Sequence, residues 1–236
     1  MNRRVIHIIL LLPLVLFFST VLPVQADEPD PQNAHPSWWG EEAIDTTGFS
    51  PYWYVLPQMG VSMHYGEGNV FELLSPSVAV SGGWQFHRFF GVRVGLDGFH
   101  TYNYQARPKR KYQWDYLQVH AVATLSVIDL LLGYDSERKY LVYGYLGGGT
   151  TMAFNNDDAN MLASHGGNFE KVWDGTKVMP MGRCGLGADY AINDLLMLNA
   201  EFAASILPDS FNSKIGNGDN LDWQFQLLVG LKVMIK

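Results

Sequence analysis

"LDWQFQLLVGLKVMIK", residues 221–236, alternates apolar residues with others over its whole length. Leu221, Trp223, Phe225, Leu227, Val229, Leu231, Val233 and Ile235 occupy one set of positions. Asp222, Gln224, Gln226, Leu228, Gly230, Lys232, Met234 and Lys236 occupy the other. A period of two is that of a β-strand, whose successive side chains point to opposite faces. Strands of ordinary globular domains run about 5–6 residues. A strand this long, oily along one entire face, needs more than a small core to cover that face.

Similar stretches recur upstream. The alternation predicts strands near 52–65, 74–86, 90–104, 114–128, 140–154, 178–192 and 196–208, with 221–236 as the eighth. In the third, Val92, Val94 and Leu96 oppose Arg93, Gly95 and Asp97; in the seventh, Leu198, Ala200 and Phe202 oppose Asn199 and Glu201. The fifth, "YLVYGYLGGGTTMAF", is glycine-rich, and its pattern does not say which face is which. Connections alternate in length: "HRF" and "NDL" are short, whereas "GEGNVFEL", "QARPKRKYQ", "NNDDANMLASHGGNFEKVWDGTK" and "DSFNSKIGNGDN" are long and polar. "DLLLGYDSERK", 129–139, is longer than the other short turns. Short turns at one end and long loops at the other belong to transmembrane barrels. Each candidate strand reaches the roughly 9–11 residues that cross a bilayer when tilted.

The chain begins "MNRRVIHIILLLPLVLFFSTVLPVQA": Arg3 and Arg4, an apolar run, then Val24-Gln25-Ala26. That order is expected of a secretory signal peptide, residues 1–26, cleaved after Ala26. Its loss takes both arginines and moves the net charge from −7 to −9. An acidic exported chain is a poor nucleic-acid binder. With one cysteine, Cys184, it holds no internal disulfide framework. Residues 27–51, rich in proline and acid, are expected to form an extended periplasmic lead segment, with Trp38 and Trp39 either at a membrane interface or packed on a rim. Residues 52–236 form the barrel domain. Beyond residue 26 no apolar run approaches the about 20 residues of a membrane helix.

Alternation alone also fits a soluble lipocalin-like barrel with an oily interior. Two features favour lipid outside. The less apolar face is rich in Gly, Ser and Ala with isolated charges, which suits the cramped lumen of eight strands. Aromatic residues stand near strand ends (Trp53, Tyr65, Trp84, Phe86, Tyr102, Tyr104, Tyr190 and Trp223), as interfacial girdles do. Because hydrocarbon offers backbone groups no water, such a sheet must close on itself, pairing the last strand with the first. The expected fold is an all-β, eight-stranded, antiparallel up-and-down transmembrane β-barrel.

The leader, the eight stretches and the ending Leu228-x-Gly230-x-x-Val233-x-Ile235 together resemble the small outer-membrane β-barrel proteins of the OmpA-like/porin type common in Bacteroidetes, over roughly residues 52–236. The resemblance implies a bacterial outer-membrane location and a polar lumen plugged by ion pairs. Arg93, Asp97, Arg183, Asp189, Glu201 and Lys232 are the charges that fall on its polar faces. A conducting pore tuned by the same residues is the alternative. Leu228, Gly230, Val233 and Ile235 resemble the signal read by the barrel assembly machinery, although Ile235-Lys236 stands where that signal has a terminal aromatic. The other expected partners are outer-membrane lipids, lipopolysaccharide and an extracellular ligand.

No catalytic, cofactor or metal site is expected. Ser62, His64 and His100 are the residues a lipid-modifying barrel enzyme, the second functional reading, would use. Asn155 to Asp158 and Asp219-Asn220-Asp222 offer oxygen ligands without the spacing of an EF-hand, and turn chemistry explains them as well. "RPKRK", 107–111, is the basic cluster, able to meet lipopolysaccharide phosphates or simply to lie solvated in a loop.

Overall fold

The computed structural model describes residues 49–64, 74–106, 109–165, 172–208, 211 and 221–235, with the side chains of 104–106 and 109–110 excepted. The signal peptide, nearly all of the lead segment, Trp38, Trp39, Tyr65 and the Asp219-Asn220 pair lie outside them.

Eight strands form one closed sheet in sequence order: β1 (Tyr52–His64), β2 (Ser75–Gln85), β3 (Phe90–Ala106), β4 (Lys109–Ser126), β5 (Tyr140–Phe154), β6 (Lys177–Ala191), β7 (Leu196–Pro208) and β8 (Leu221–Ile235). Every neighbour is antiparallel, and β1 closes the barrel against β8 from Trp53↔Ile235 to His64↔Gln224. The opening stretch thus finds both its partners, β7 and β1. Pairing on the closing seam skips Leu56 and Pro57, where proline has no N–H to give. Gly230 lies beside that gap; a Cβ there would strike the Pro57 carbonyl, so only glycine lets the two strands approach.

The exposed face is the oily one. Val94, Leu146, Phe202 and Val229 are 36–69% exposed, whereas Arg93, Asp97, Glu201 and Gln226 are at most 2% exposed. A water-soluble barrel has the reverse arrangement, so the outer wall belongs in lipid. At the short-turn end Trp53 stacks on Trp84 at 5.3 Å, and Phe86, Tyr140 and Tyr190 stand exposed in the same belt. Among the described residues no helix is long and apolar enough to cross a membrane; the strands do the crossing.

Three local features differ from the sequence reading. The β3–β4 connection is expected as a long loop, but the ladder runs on to Ala106↔Lys109, leaving residues 107–108 between the strands. β4 ends at Ser126, because α1 (Val127–Leu132) starts there. The Ser126 hydroxyl accepts from the Asp129 N–H at 3.3 Å, and Arg138 donates to the Asp129 carboxylate at 2.7 Å, tying down the segment between β4 and β5. Finally, "NNDDANML…" contains a helix, α2 (Asp157–Ser164), with Asp157 and Asp158 in its first turn, where the helix dipole favours acid.

Candidate functional site: the lumen

The inward faces of eight strands converge on a narrow interior, so side chains that sequence separates by a hundred residues meet there. Nearest the short-turn end, Lys232 of β8 pairs with Asp189 of β6, its ammonium also 4.7 Å from the Tyr54 ring centroid and 4.9 Å from that of Tyr143. One layer up, Arg93 of β3 reaches Glu201 of β7 through both terminal guanidinium nitrogens, and its plane lies over Tyr145 at 4.6 Å. Tyr143 donates its hydroxyl to the same Glu201 carboxylate. Higher again, Arg183 of β6 donates to Asp97 of β3 at 3.3 Å, with His120 Nδ1 3.1 Å from the same carboxylate and Gln226 donating to it at 2.7 Å.

These six charged residues are each 2–4% exposed. Charges held away from water require such partners, since an isolated one would cost several kcal/mol. Neutral residues link the layers. Asn199 donates to Asp189 at 2.6 Å and to Tyr143 at 2.8 Å, and accepts from Gln58 at 2.8 Å. Gln118 donates to Gln224 at 2.7 Å.

Sequence reasoning identifies the charges and puts His120 and Asn199 on the polar faces, but misses Tyr143, Tyr145 and Gln58. The clue lies in small residues on neighbouring strands. A Cβ at Gly187 would strike the Tyr143 ring, and one at Gly95 the His120 ring, so each glycine makes room for a large lumen group. This also resolves the fifth strand: its tyrosines at 143 and 145 face inward and Val142 and Leu146 face out.

Above the ion pairs the interior changes character. Tyr112, Trp114 and Tyr116 of β4, Met179 and Met181 of β6, Leu207, Trp173 and Phe211 form an apolar cluster that extends to Ala159 of α2. His64 belongs to it, 5.1 Å from the Phe211 ring and accepting from or donating to Thr101 at 3.0 Å. Ser62 also faces inward, 3.4 Å from the Tyr116 hydroxyl. His100 instead lies on the outer wall, 2.6 Å from Asp115. The barrel wall therefore separates Ser62 and His64 from His100.

The remaining sequence candidates are dispersed. Cys184 is half-buried on the lipid-facing side. Asp222 faces the lumen. Leu228 is fully buried inside, opposite Glu201, whereas Val233 and Ile235 face outward. Among the described residues no group of three or more His, Cys, Asp or Glu is set to hold a metal ion.

No protein-family model matches the chain, and no curated protein matches it. Solved structures do. Neisserial surface protein A superposes with a TM-score of 0.50 at 15% identity, over 78% of this chain and 99% of that one. The outer membrane protein OprG from Pseudomonas aeruginosa gives 0.50 at 12% identity, over 78% and 95%. The likeness is one of fold: this chain is built as an eight-stranded transmembrane β-barrel of the outer-membrane kind.

Proposed function

We propose that this protein is a structural, porin-like barrel of the bacterial outer membrane, of the type common in Bacteroidetes, with a plugged lumen and no catalytic activity. The observation that carries the reading is the stack of Lys232–Asp189, Arg93–Glu201 and Arg183–Asp97, buried from wall to wall beneath an aromatic lid. An ion or solute crossing would have to break these pairs and displace the lid.

In this reading residues 1–26 direct export and are removed, and residues 27–51 lead into the barrel on the periplasmic side. The assembly machinery reads Leu228, Gly230, Val233 and Ile235 on the closing strand. The short turns face the periplasm; the long connections meet lipopolysaccharide and an extracellular ligand. A lipid-modifying enzyme is less well supported, because Ser62 and His64 stand inside the wall and His100 outside it.

The test is conductance of the purified mature barrel in planar bilayers. The plug predicts no large, steady channels; their presence in the wild-type protein would overturn it.

A further inference from the structure

The barrel wall parts between β2 and β3. The β2–β3 ladder stops at Val78↔Gly98, although β2 begins at Ser75 and β3 continues to Ala106. Past that point β2 follows β1 to Ser62↔Ser75, and β3 follows β4 to Ala106↔Lys109. The residues explain the parting. Pro76 has no N–H to offer a ladder, and a Cβ at Gly98 would strike the Tyr116 carbonyl, so glycine lets β3 lean onto β4 and away from β2. The Tyr102 N–H bridges to Ser75 Oγ at 3.0 Å.

The parting leaves a groove of about 790 Å³ on the outer wall, lined by Pro76, Val78, Leu96, Phe99, Leu117 and Phe154. That volume lies within the range of roughly 300–1,000 Å³ typical of ligand sites. Phe99 is informative. It follows Asp97 and precedes Thr101, both buried inward, yet it is 55% exposed and borders the groove.

The mouth is polar. His100 sits between Asp115 at 2.6 Å and the Gln113 side-chain amide oxygen at 2.9 Å, one acceptor at each ring nitrogen, an arrangement that suits the doubly protonated ring. Asp115 also accepts from Asn155 at 2.6 Å, so its charge is engaged. Exposed Lys111 holds its ammonium 3.6 Å from the Tyr102 ring centroid, directly over the groove's edge. An apolar slot that opens to the bilayer beneath a cationic rim is complementary to an acylated, phosphorylated lipid.

We infer that this groove binds a phosphorylated glycolipid of the lipid A class, with one acyl chain between β2 and β3 and a phosphate at Lys111. The inference rests on the outer-membrane reading above, which sets the long-connection end in the outer leaflet.

The experiment titrates the refolded mature barrel in detergent with bisphosphorylated lipid A, with dephosphorylated lipid A and with phosphatidylglycerol, reading bound lipid by native mass spectrometry. Lys111→Glu removes the rim charge, Val78→Trp fills the slot, and Val229→Trp adds equal bulk on another part of the wall. Heat-modifiable migration on gels checks each fold. Bisphosphorylated lipid A is expected to bind at least tenfold tighter than either other lipid. Lys111→Glu and Val78→Trp each lose at least tenfold, and Val229→Trp keeps wild-type affinity. Equal binding of phosphatidylglycerol, indifference to Lys111→Glu, or dimerisation through this wall in place of lipid binding would overturn the site. Because conductance is measured separately, that failure would leave the plug reading standing.

Discussion

The two halves of β4 carry opposite instructions. From Leu117 onward the outward positions are apolar (Leu117, Val119, Ala121, Ala123, Leu125), and inward Gln118, His120 and Thr124 are polar. Before that point the outward positions are Lys111, Gln113 and Asp115, and Tyr112, Trp114 and Tyr116 are buried inside. The alternation never misses a beat; only the oily side changes. The lower half behaves as a wall between hydrocarbon and a polar filling, the upper half as a wall between water and an ordinary apolar core. The inversion between Tyr116 and Leu117 therefore marks where the solvent around the barrel changes.

The difference can be broken or sharpened by substitution. In the lower lumen, Glu201→Ala leaves buried Arg93 without its carboxylate partner and is expected to cost about 3–5 kcal/mol, read as a lower denaturant midpoint for unfolding from micelles. It opens no large steady conductance. Replacing both partners, Arg93→Met with Glu201→Leu, restores most of that loss, since well-packed apolar residues substitute for a buried pair at little cost. A negligible effect of Glu201→Ala would mean that water fills the lower lumen. In the upper lumen, Trp114→Ala removes a buried ring and is expected to cost about 3–5 kcal/mol through lost burial and the cavity left behind. Here no single polar partner is stranded, so no second truncation rescues it.

Outside, the halves part more sharply. Val94→Arg places a charge on the lipid-facing wall of the lower barrel and is expected to cost about 2–4 kcal/mol near the midplane. Gln113→Arg, on the same outer wall above the inversion, is expected to stay within about 0.5 kcal/mol, by the same unfolding midpoint. Equal costs at the two positions would erase the boundary drawn through β4.

Much of this was readable beforehand. The bounds 140–154 and 196–208 coincide with β5 and β7, because polar, turn-forming segments flank each of them. The lumen charges were legible because Arg93, Asp97, Glu201 and Lys232 interrupt otherwise apolar or small runs at regular parity. The β3–β4 hairpin was not: "QARPKRKYQ" is polar, and a strand above the membrane has no reason to keep an oily outer face. Tyr112, Trp114 and Tyr116 were hidden for the same reason, since a rule of oily side out fails once water replaces lipid. The inverted parity was the available signal. Trp173 and Phe211 join the interior cluster from connecting segments, and no local pattern announces a tertiary contact of that kind.

The most direct test attaches a spin label at Val94, in a Cys184→Ser background, and compares collisions with oxygen and with a water-soluble nickel chelate in liposomes. The label at Val94 is predicted to meet oxygen and exclude nickel, and a label at Gln113 to do the opposite. Free access of nickel to Val94 would contradict the assignment of hydrocarbon to the outer wall.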